Sequence, residues 1–305
     1  MAPRCFRRSQ GCRPLTLDPI VAVALTFFTT GLAGLTAGNG RRRMAVAGAL
    51  LFSAAAIPWF VPVERSFLRA LMAMFACFAV GRTADIFRQG HNTRVSWRVL
   101  HIFSLVDTRL LRRSQPTTHW AVLIRLAAFG AASWATLSLL DRSHRAWIQW
   151  LLGVAFVYAL IEAVAALVRL ALGWLGFRAP PLHEDPILSR SVREFWAERW
   201  NRVISRILAT HAFIPLARSG HPGWGLFLSF LASGIGHAYF VWVAAGFQMA
   251  IWMLSFFLLQ WLAVALESAW GVERWPSGLG RSWTGTFMLV TSPLFIVPAL
   301  RCLGV

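Results

Sequence analysis

The sequence predicts an all-α, polytopic integral membrane protein with about eight transmembrane helices and additional amphipathic helices at the interface. Three observations predict it. The 305 residues are 57% hydrophobic and 14% charged, about half the charged fraction of an ordinary soluble domain. Sixteen Trp and 23 Phe make an apolar load too large for a water-soluble core of this size. The cations gather between long apolar runs, and nothing resembles the short alternating segments of a β-barrel.

The formal charge of +18 rests on arginine alone, because the chain has no lysine. In a soluble protein such a charge points to nucleic acid. Here the arginines flank apolar spans, where they set orientation and meet anionic headgroups. Membrane lipids are therefore the expected partner and nucleic acid is not. Cys5, Cys12, Cys77 and Cys302 are scattered without CxxC or metal-ligand spacing; Cys5 and Cys12 are near enough in sequence to pair, but Cys77 and Cys302 lie in or beside apolar spans, so neither a zinc site nor a disulfide framework is expected.

In chain order, residues 1–19 form a basic tail with Arg4, Arg7, Arg8 and Arg13. The apolar run Ile20–Ala37 is long enough to span, which favours a retained first helix over a cleaved signal. After GNGRRR comes a second span, Met44–Val61, ended by Pro58 and Pro62. Phe67–Val80 is a short third span, lengthened by Arg65 and Arg69 snorkelling to the interface. Residues 81–118 mix seven arginines with WRVLHIFSLVDTRLL and read as an interfacial segment in which Asp107 and Arg109 can pair. Its His91 and His101, and the following His119, are expected at headgroup level.

Trp120–Leu140 is the fourth span, DRSHR a polar turn, and Trp147–Leu172 the fifth span. Glu162 inside it needs a partner, with Arg125 or Arg169 in reach. Gly223–Ala245, Phe247–Trp270 and Trp283–Leu300 complete the eight. Placing the N-terminus outside puts the arginine blocks at 41–43, 82–113 and 178–218 in the cytoplasm. The whole chain, 1–305, reads as one domain.

The chemistry concentrates in 178–242. Ser191 and Glu194 have capping-box spacing, predicting a helix that places Trp196 and Trp200 on one face. Arg199, Arg202 and Arg206 make a cationic stripe on that helix, suited to lipid headgroups or to a phosphate-bearing ligand. In the sixth span Ser229, Ser233 and His237 fall at i, i+4 and i+8, a polar line along an apolar helix. Gly234 and Gly236 beside them allow close helix packing or substrate access. Burial keeps His237 neutral and able to accept a proton, although a histidine bonding a helix carbonyl as packing glue has the same sequence signature. Glu267, on one face with Gln260, either orients His237 or lies at the interface.

VREFWAERWNR (192–202) followed by LASGIGH (231–237) resembles the wax-synthase-like branch of the membrane-bound O-acyltransferase family. The resemblance covers about 55 residues. It implies acyl transfer from acyl-CoA to a lipophilic alcohol, either a fatty alcohol giving a wax ester or a terpenoid or sterol-like hydroxyl. His237 would be the general base. Asn201 stands at the family's second polar position, where wax-synthase relatives often carry His. Trp196, Arg199, Trp200 and Arg202 would line the acyl-CoA side, with Ser229, Ser233 and Gly234 along the substrate path. No metal or cofactor is implied beyond acyl-CoA as co-substrate. The expected location is a bacterial inner membrane, with the acyl-CoA side facing the cytoplasm. The rival reading is a small-solute transporter or channel lined by the Ser229–Ser233–His237 face. Such a protein more often shows two matching halves, and no internal repeat is visible.

Overall fold

The computed structural model describes residues 16–305 except 39, 90–93 and 144. The basic tail with Cys5 and Cys12, and His91, lie outside the described residues. The fold is all-α. Among the described residues, seven helices are long and apolar enough to cross a membrane, or eight if a bent C-terminal pair counts as one span. The chain is an integral, multi-pass membrane protein.

The first helix, α1 (Pro19–Thr36), starts where the Asp18 carboxylate accepts the amides of Ile20 and Val21. It buries a stripe of small residues, Ala22, Thr26, Thr30 and Ala33, as expected where apolar solvent gives no hydrophobic drive and close packing must hold helices together. The hydroxyls of Thr26 and Thr30 bond carbonyls of their own helix, so the stripe costs no unsatisfied donor. Helix α2 (Arg41–Ala56) ends in a tight turn at Pro58.

Helix α3 (Ser66–Gln89) outruns the expected end at Val80 by more than two turns. The charged residues that read as a boundary are buried with partners. Arg82, fully buried, donates to the carbonyls of Ser104 and Val106, and Asp85 is met by Arg109, His101 and His211. At its other end Arg69 does not snorkel; it is 6% exposed, with its guanidinium 5.9 Å from the Trp59 ring centroid. Within the expected interfacial block, α4 (Val95–Phe103) buries Arg98, His101 and Ile102.

Helices α5 (Trp120–Leu140) and α6 (Ala146–Trp174) form an antiparallel hairpin, and α5 turns most of its surface outward. A two-residue ribbon, β1 (Arg112–Arg113) against β2 (Phe177–Arg178), ties the chain entering α5 to the chain leaving α6. The expected continuous helix after Ser191 is instead broken. It comprises α7 (Val192–Glu194), a π turn over Phe195–Arg199, an extended Trp200, and then α8 (Arg202–Leu208). A second π turn leads to α9 (Ile214–Arg218).

The core of the C-terminal half is made by α10 (Pro222–Ala245) and α11 (Phe247–Trp270), joined at Gly246 with φ of 93°. The last expected span is bent by 50° between α12 (Ser277–Thr291) and α13 (Pro293–Leu303), where Pro293 lacks the amide needed to continue the ladder. Phe230, Val241, Met253, Phe256, Phe257 and Val264 pack together, with Val192 of α7 closing one side.

Candidate functional site

The site begins with how the broken segment at 182–202 is held. Strand-like bonds lace it to its own preceding loop: the Glu184 amide donates to the Arg199 carbonyl, 2.9 Å, and the Arg202 amide to the Leu182 carbonyl, 3.0 Å. Ser191 accepts the Glu194 amide at 2.9 Å, so half of the expected capping box forms. The other half does not, because the Glu194 carboxylate takes the Arg190 amide, 2.7 Å, and the Arg199 guanidinium, 2.6 Å. Burial pushes the Glu194 carboxyl up, but these bonds and the Arg199 charge outweigh it and leave it below the usual carboxylate range.

The amides at the start of α7 are taken by a residue 75 positions away. Glu267 of α11, 2% exposed, accepts from Val192 at 2.6 Å, from Arg193 at 2.9 Å and from the Trp283 indole at 2.8 Å. A carboxylate at a helix start satisfies orphan amides and favours the N-terminal dipole. Glu267 is therefore neither the partner of His237 nor a free interfacial charge; it clamps the aromatic segment to the bundle.

The break separates the two tryptophans that sequence spacing places on one face. Trp196 points into the bundle, with ring centroids 5.7 Å from Phe257, 6.1 Å from Phe256 and 6.2 Å from Phe230. Its indole donates to Gln260, 3.2 Å, and Gln260, fully buried, donates in turn to Thr291, 2.9 Å. Trp200 goes to the other side. It stacks on His183 at 4.6 Å and on Phe195 at 5.5 Å. His183 also faces Glu162 at 3.1 Å, and Arg125 faces the same carboxylate at 3.6 Å. Of the two partners expected for Glu162, Arg125 is the one found, and His183 is added to it.

Asn201 adopts a left-handed backbone, φ of 38°, and its side-chain oxygen accepts the Ile204 amide, 3.3 Å, to cap α8. Asn is among the few residues that tolerate this conformation and also cap well, which explains its presence here in backbone terms. Among the described residues no hydrogen bond joins Asn201 to His237. The arginine stripe is dispersed by the same break. Arg199 and Arg202 converge on Glu184, through its carbonyl at 3.0 Å and its carboxylate at 2.6 Å. Arg206 turns to Asp107, 2.7 Å. All three arginines nevertheless line one open depression of about 460 Å³, together with Ser205 and Glu198.

His237 lies in α10 with its ring against Phe257 (4.5 Å between centroids), Phe240 (5.2 Å) and Phe295 (6.3 Å). Its Nδ1 is 2.8 Å from the Ser233 carbonyl oxygen. A carbonyl only accepts, so Nδ1 carries the hydrogen and Nε2 presents its lone pair. A neutral imidazole with an unshared Nε2 in an aromatic niche is chemically a proton acceptor. Phe257 touches both His237 and Trp196, so one side chain of α11 connects the two halves of the sequence motif.

The polar line along α10 is less open than its spacing suggests. The Ser229 hydroxyl donates to the Gly225 carbonyl at 2.8 Å, within the helix. Gly234 is a packing position. A Cβ there would lie 2.9 Å from Leu254 and 3.0 Å from Phe257, so glycine lets α10 approach α11. Gly236, one residue before the histidine, faces open space, with no atom within 4 Å of a Cβ.

A second polar cluster was invisible in the sequence. Asp85 of α3 receives His211 at 2.9 Å, Arg109 at 3.2 Å and His101 at 3.5 Å. Asp107 binds Arg109 through Nε at 2.8 Å and Arg206 at 2.7 Å. Burial pushes the Asp107 carboxyl up, but the hydrogen bonds from Arg109 and Arg206 and the Arg109 charge outweigh it, holding it well below the usual range. The local Asp107–Arg109 pair was readable; His211 and Arg206, supplied from about a hundred residues away, were not.

Residues 179–259 match the model of the membrane bound O-acyl transferase family. Probable long-chain-alcohol O-fatty-acyltransferase 2 of Arabidopsis thaliana is 25% identical over 200 residues, 61% of this chain and 58% of the relative. The long-chain-alcohol O-fatty-acyltransferase of Simmondsia chinensis is 28% identical over 157 residues, 47% of this chain and 44% of the relative. Acyl-CoA–sterol O-acyltransferase 1 of Arabidopsis thaliana is 27% identical over 156 residues, 47% of this chain and 44% of the relative. The chain spans about half the length of the curated relatives it matches. The resemblance of 192–202 and 231–237 to the wax-synthase-like branch is borne out. The relatives named are plant proteins, and they lend no support to a bacterial membrane.

Proposed function

We propose that this protein is an O-acyltransferase that esterifies a lipophilic alcohol from acyl-CoA, with His237 as general base and 178–242 as the catalytic segment. The alcohol is a fatty alcohol, giving a wax ester, or a terpenoid or sterol-like hydroxyl. The observation that carries the proposal is the fixed tautomer of His237: Nδ1–H held by the Ser233 carbonyl, Nε2 unshared, aromatic rings around it and open space at Gly236. The names of the relatives support the reaction class, and one of them names acyl-CoA.

In the proposed step, Nε2 takes the hydroxyl proton as the alcohol oxygen attacks the thioester carbonyl. The carbon–sulfur bond breaks, and the departing CoA thiolate recovers the proton from the imidazolium. A thioester is already activated, so no acyl-enzyme is needed. Removing water from the niche keeps the imidazole neutral and prevents hydrolysis of the donor. The CoA head is assigned to the depression lined by Arg199, Arg202 and Arg206, on the cytoplasmic side, while the acyl chain lies among the rings at Trp196. Asn201 acts by fixing the backbone at the junction of these two surfaces. Trp200 helps hold that junction through its stack on His183.

The test is ester formation by membranes containing the protein, supplied with labelled acyl-CoA and a panel of lipophilic alcohols, beside a His237→Ala variant. Ester from the parent and a loss of at least about a hundredfold in the variant are expected. Equal yields from both would remove His237 from the mechanism. No ester from any alcohol would return the reading to a transporter or channel.

A further inference from the structure

A cavity of about 630 Å³ lies away from His237 and shares no lining residue with the depression at 184–209. It is built where the α5–α6 hairpin meets the β1–β2 ribbon. Arg109, Arg112, Arg169 and Arg178 line it with His119, and the remaining wall is apolar, including Val122, Phe177 and Pro180. No carboxylate lines it. Arg109 is already held by Asp85 and Asp107, whereas Arg112, Arg169 and Arg178 have no ion pair among the described residues.

The register of the ribbon sharpens this. Arg112 and Arg178 are direct cross-strand partners. Like charges directly opposite each other destabilise a strand pair. The pairing is nonetheless continued beyond Arg113 and Phe177, by the Ser114 amide to the Gly176 carbonyl at 2.9 Å and the Thr117 amide to the Gly173 carbonyl at 3.1 Å. A backbone that sets two arginines opposite each other beside a cavity lined by a third suits an anion, which turns their repulsion into attraction.

Its depth is set by tryptophan. Trp120 at the start of α5 and Trp174 at the end of α6 are both exposed, and the Trp174 indole donates to the Thr118 hydroxyl at 3.2 Å. Exposed tryptophans at the ends of two neighbouring spans mark the headgroup layer. The outward-turned surface of α5, with Ile124 exposed, continues from the cavity towards the hydrocarbon. An occupant thus needs a phosphate at the ribbon and an apolar chain along α5.

We propose that this cavity binds the phosphate headgroup of an anionic membrane phospholipid, at a site separate from the acyl-transfer centre. The proposal does not depend on the acyltransferase reading. The test is native mass spectrometry of the purified full chain from nanodiscs of phosphatidylcholine alone or phosphatidylcholine with phosphatidylglycerol. The parent should retain phosphatidylglycerol in preference to phosphatidylcholine. Arg112→Ala/Arg178→Ala should lower that retention about tenfold or more, the scale of losing charge-assisted hydrogen bonds. Arg142→Ala, which removes an exposed charge in the turn at the other end of the hairpin, should leave it unchanged. If the double variant fails to fold, Arg112→Ala alone at its exposed ribbon position gives the same comparison.

Three results would overturn the proposal. One is equal retention of the two lipids by the parent. A second is retention unaffected by the arginine substitutions, or lowered equally by Arg142→Ala. The third is release of phosphatidylglycerol by added CoA at concentrations where inorganic phosphate has no effect, which would make the cavity a site for the CoA head.

Discussion

Two groups of histidines meet opposite environments in this bundle. Among the described residues, His237 sits between phenylalanine rings with one hydrogen bond, made to its own helix, and one nitrogen unshared. His101 and His211 flank a single buried carboxylate, Asp85, and His101 also bonds Thr108 through its other nitrogen at 2.7 Å. The first arrangement leaves basicity available for a substrate. The second spends it on holding α3, α4 and the 204–211 stretch together. A buried polar group set among charged partners builds architecture, while one left half-engaged among aromatic rings is free to do chemistry.

Substitutions can break that contrast. The largest effect on turnover is expected at His237. Its alanine variant should lose at least about a hundredfold in ester formation while melting closer to the parent than any variant of the Asp85–Asp107 cluster. A melting temperature lowered as far as in those variants would make His237 a structural residue.

Next comes Asp107→Asn, which leaves Arg109 and Arg206 facing a neutral amide. Breaking a buried ion pair costs roughly 3–5 kcal/mol, and the partial exposure of both arginines reduces this to about 2 kcal/mol, read from thermal unfolding in detergent. Because the Asp107 carboxyl is held below its ordinary range, its stabilisation is present above about pH 4 and is lost as pH falls further. The parent should therefore weaken below about pH 4 more steeply than the variant, and identical acid profiles would contradict the pairing.

The last effects, on helix packing, come from two neighbouring glycines and should differ in sign. Gly234→Ala forces a Cβ against Leu254 and Phe257 and should cost about 1–3 kcal/mol. Gly236→Ala meets open space and should stabilise the helix by up to about 1 kcal/mol. If substrate reaches His237 past Gly236, the same variant should raise KM for the alcohol. Two equal destabilisations would mean that α10 does not meet α11 through Gly234 with Gly236 facing open space.

The spans were largely legible. Trp120–Leu140 and Phe247–Trp270 are found with the ends expected of them, because their apolar runs stop at polar or glycine-containing turns. Val80 was a false end for α3, since Arg82 and Asp85 look like interface residues until the loop at 104–109 and His211 are folded against them. The candidate site was legible as residues and misread as geometry. A helix through Ser191–Arg206 satisfies every local preference, yet Trp200 is extended and Asn201 left-handed. The only sequence hint was Asn itself, a residue that caps helices and tolerates positive φ.

What the sequence determined by itself is the set of membrane helices, a histidine within the sixth of them and the resemblance of 192–237 to an acyltransferase motif. Crossing a bilayer needs only a long enough apolar run, and that property is local. Only the tertiary structure decided which carboxylate meets which donor. Glu267 clamps α7 across 75 residues, Arg206 reaches Asp107 across 99, and Trp196 and Trp200 part company. Such pairings follow from which helices touch, because a buried charge must take whatever partner packing brings within reach.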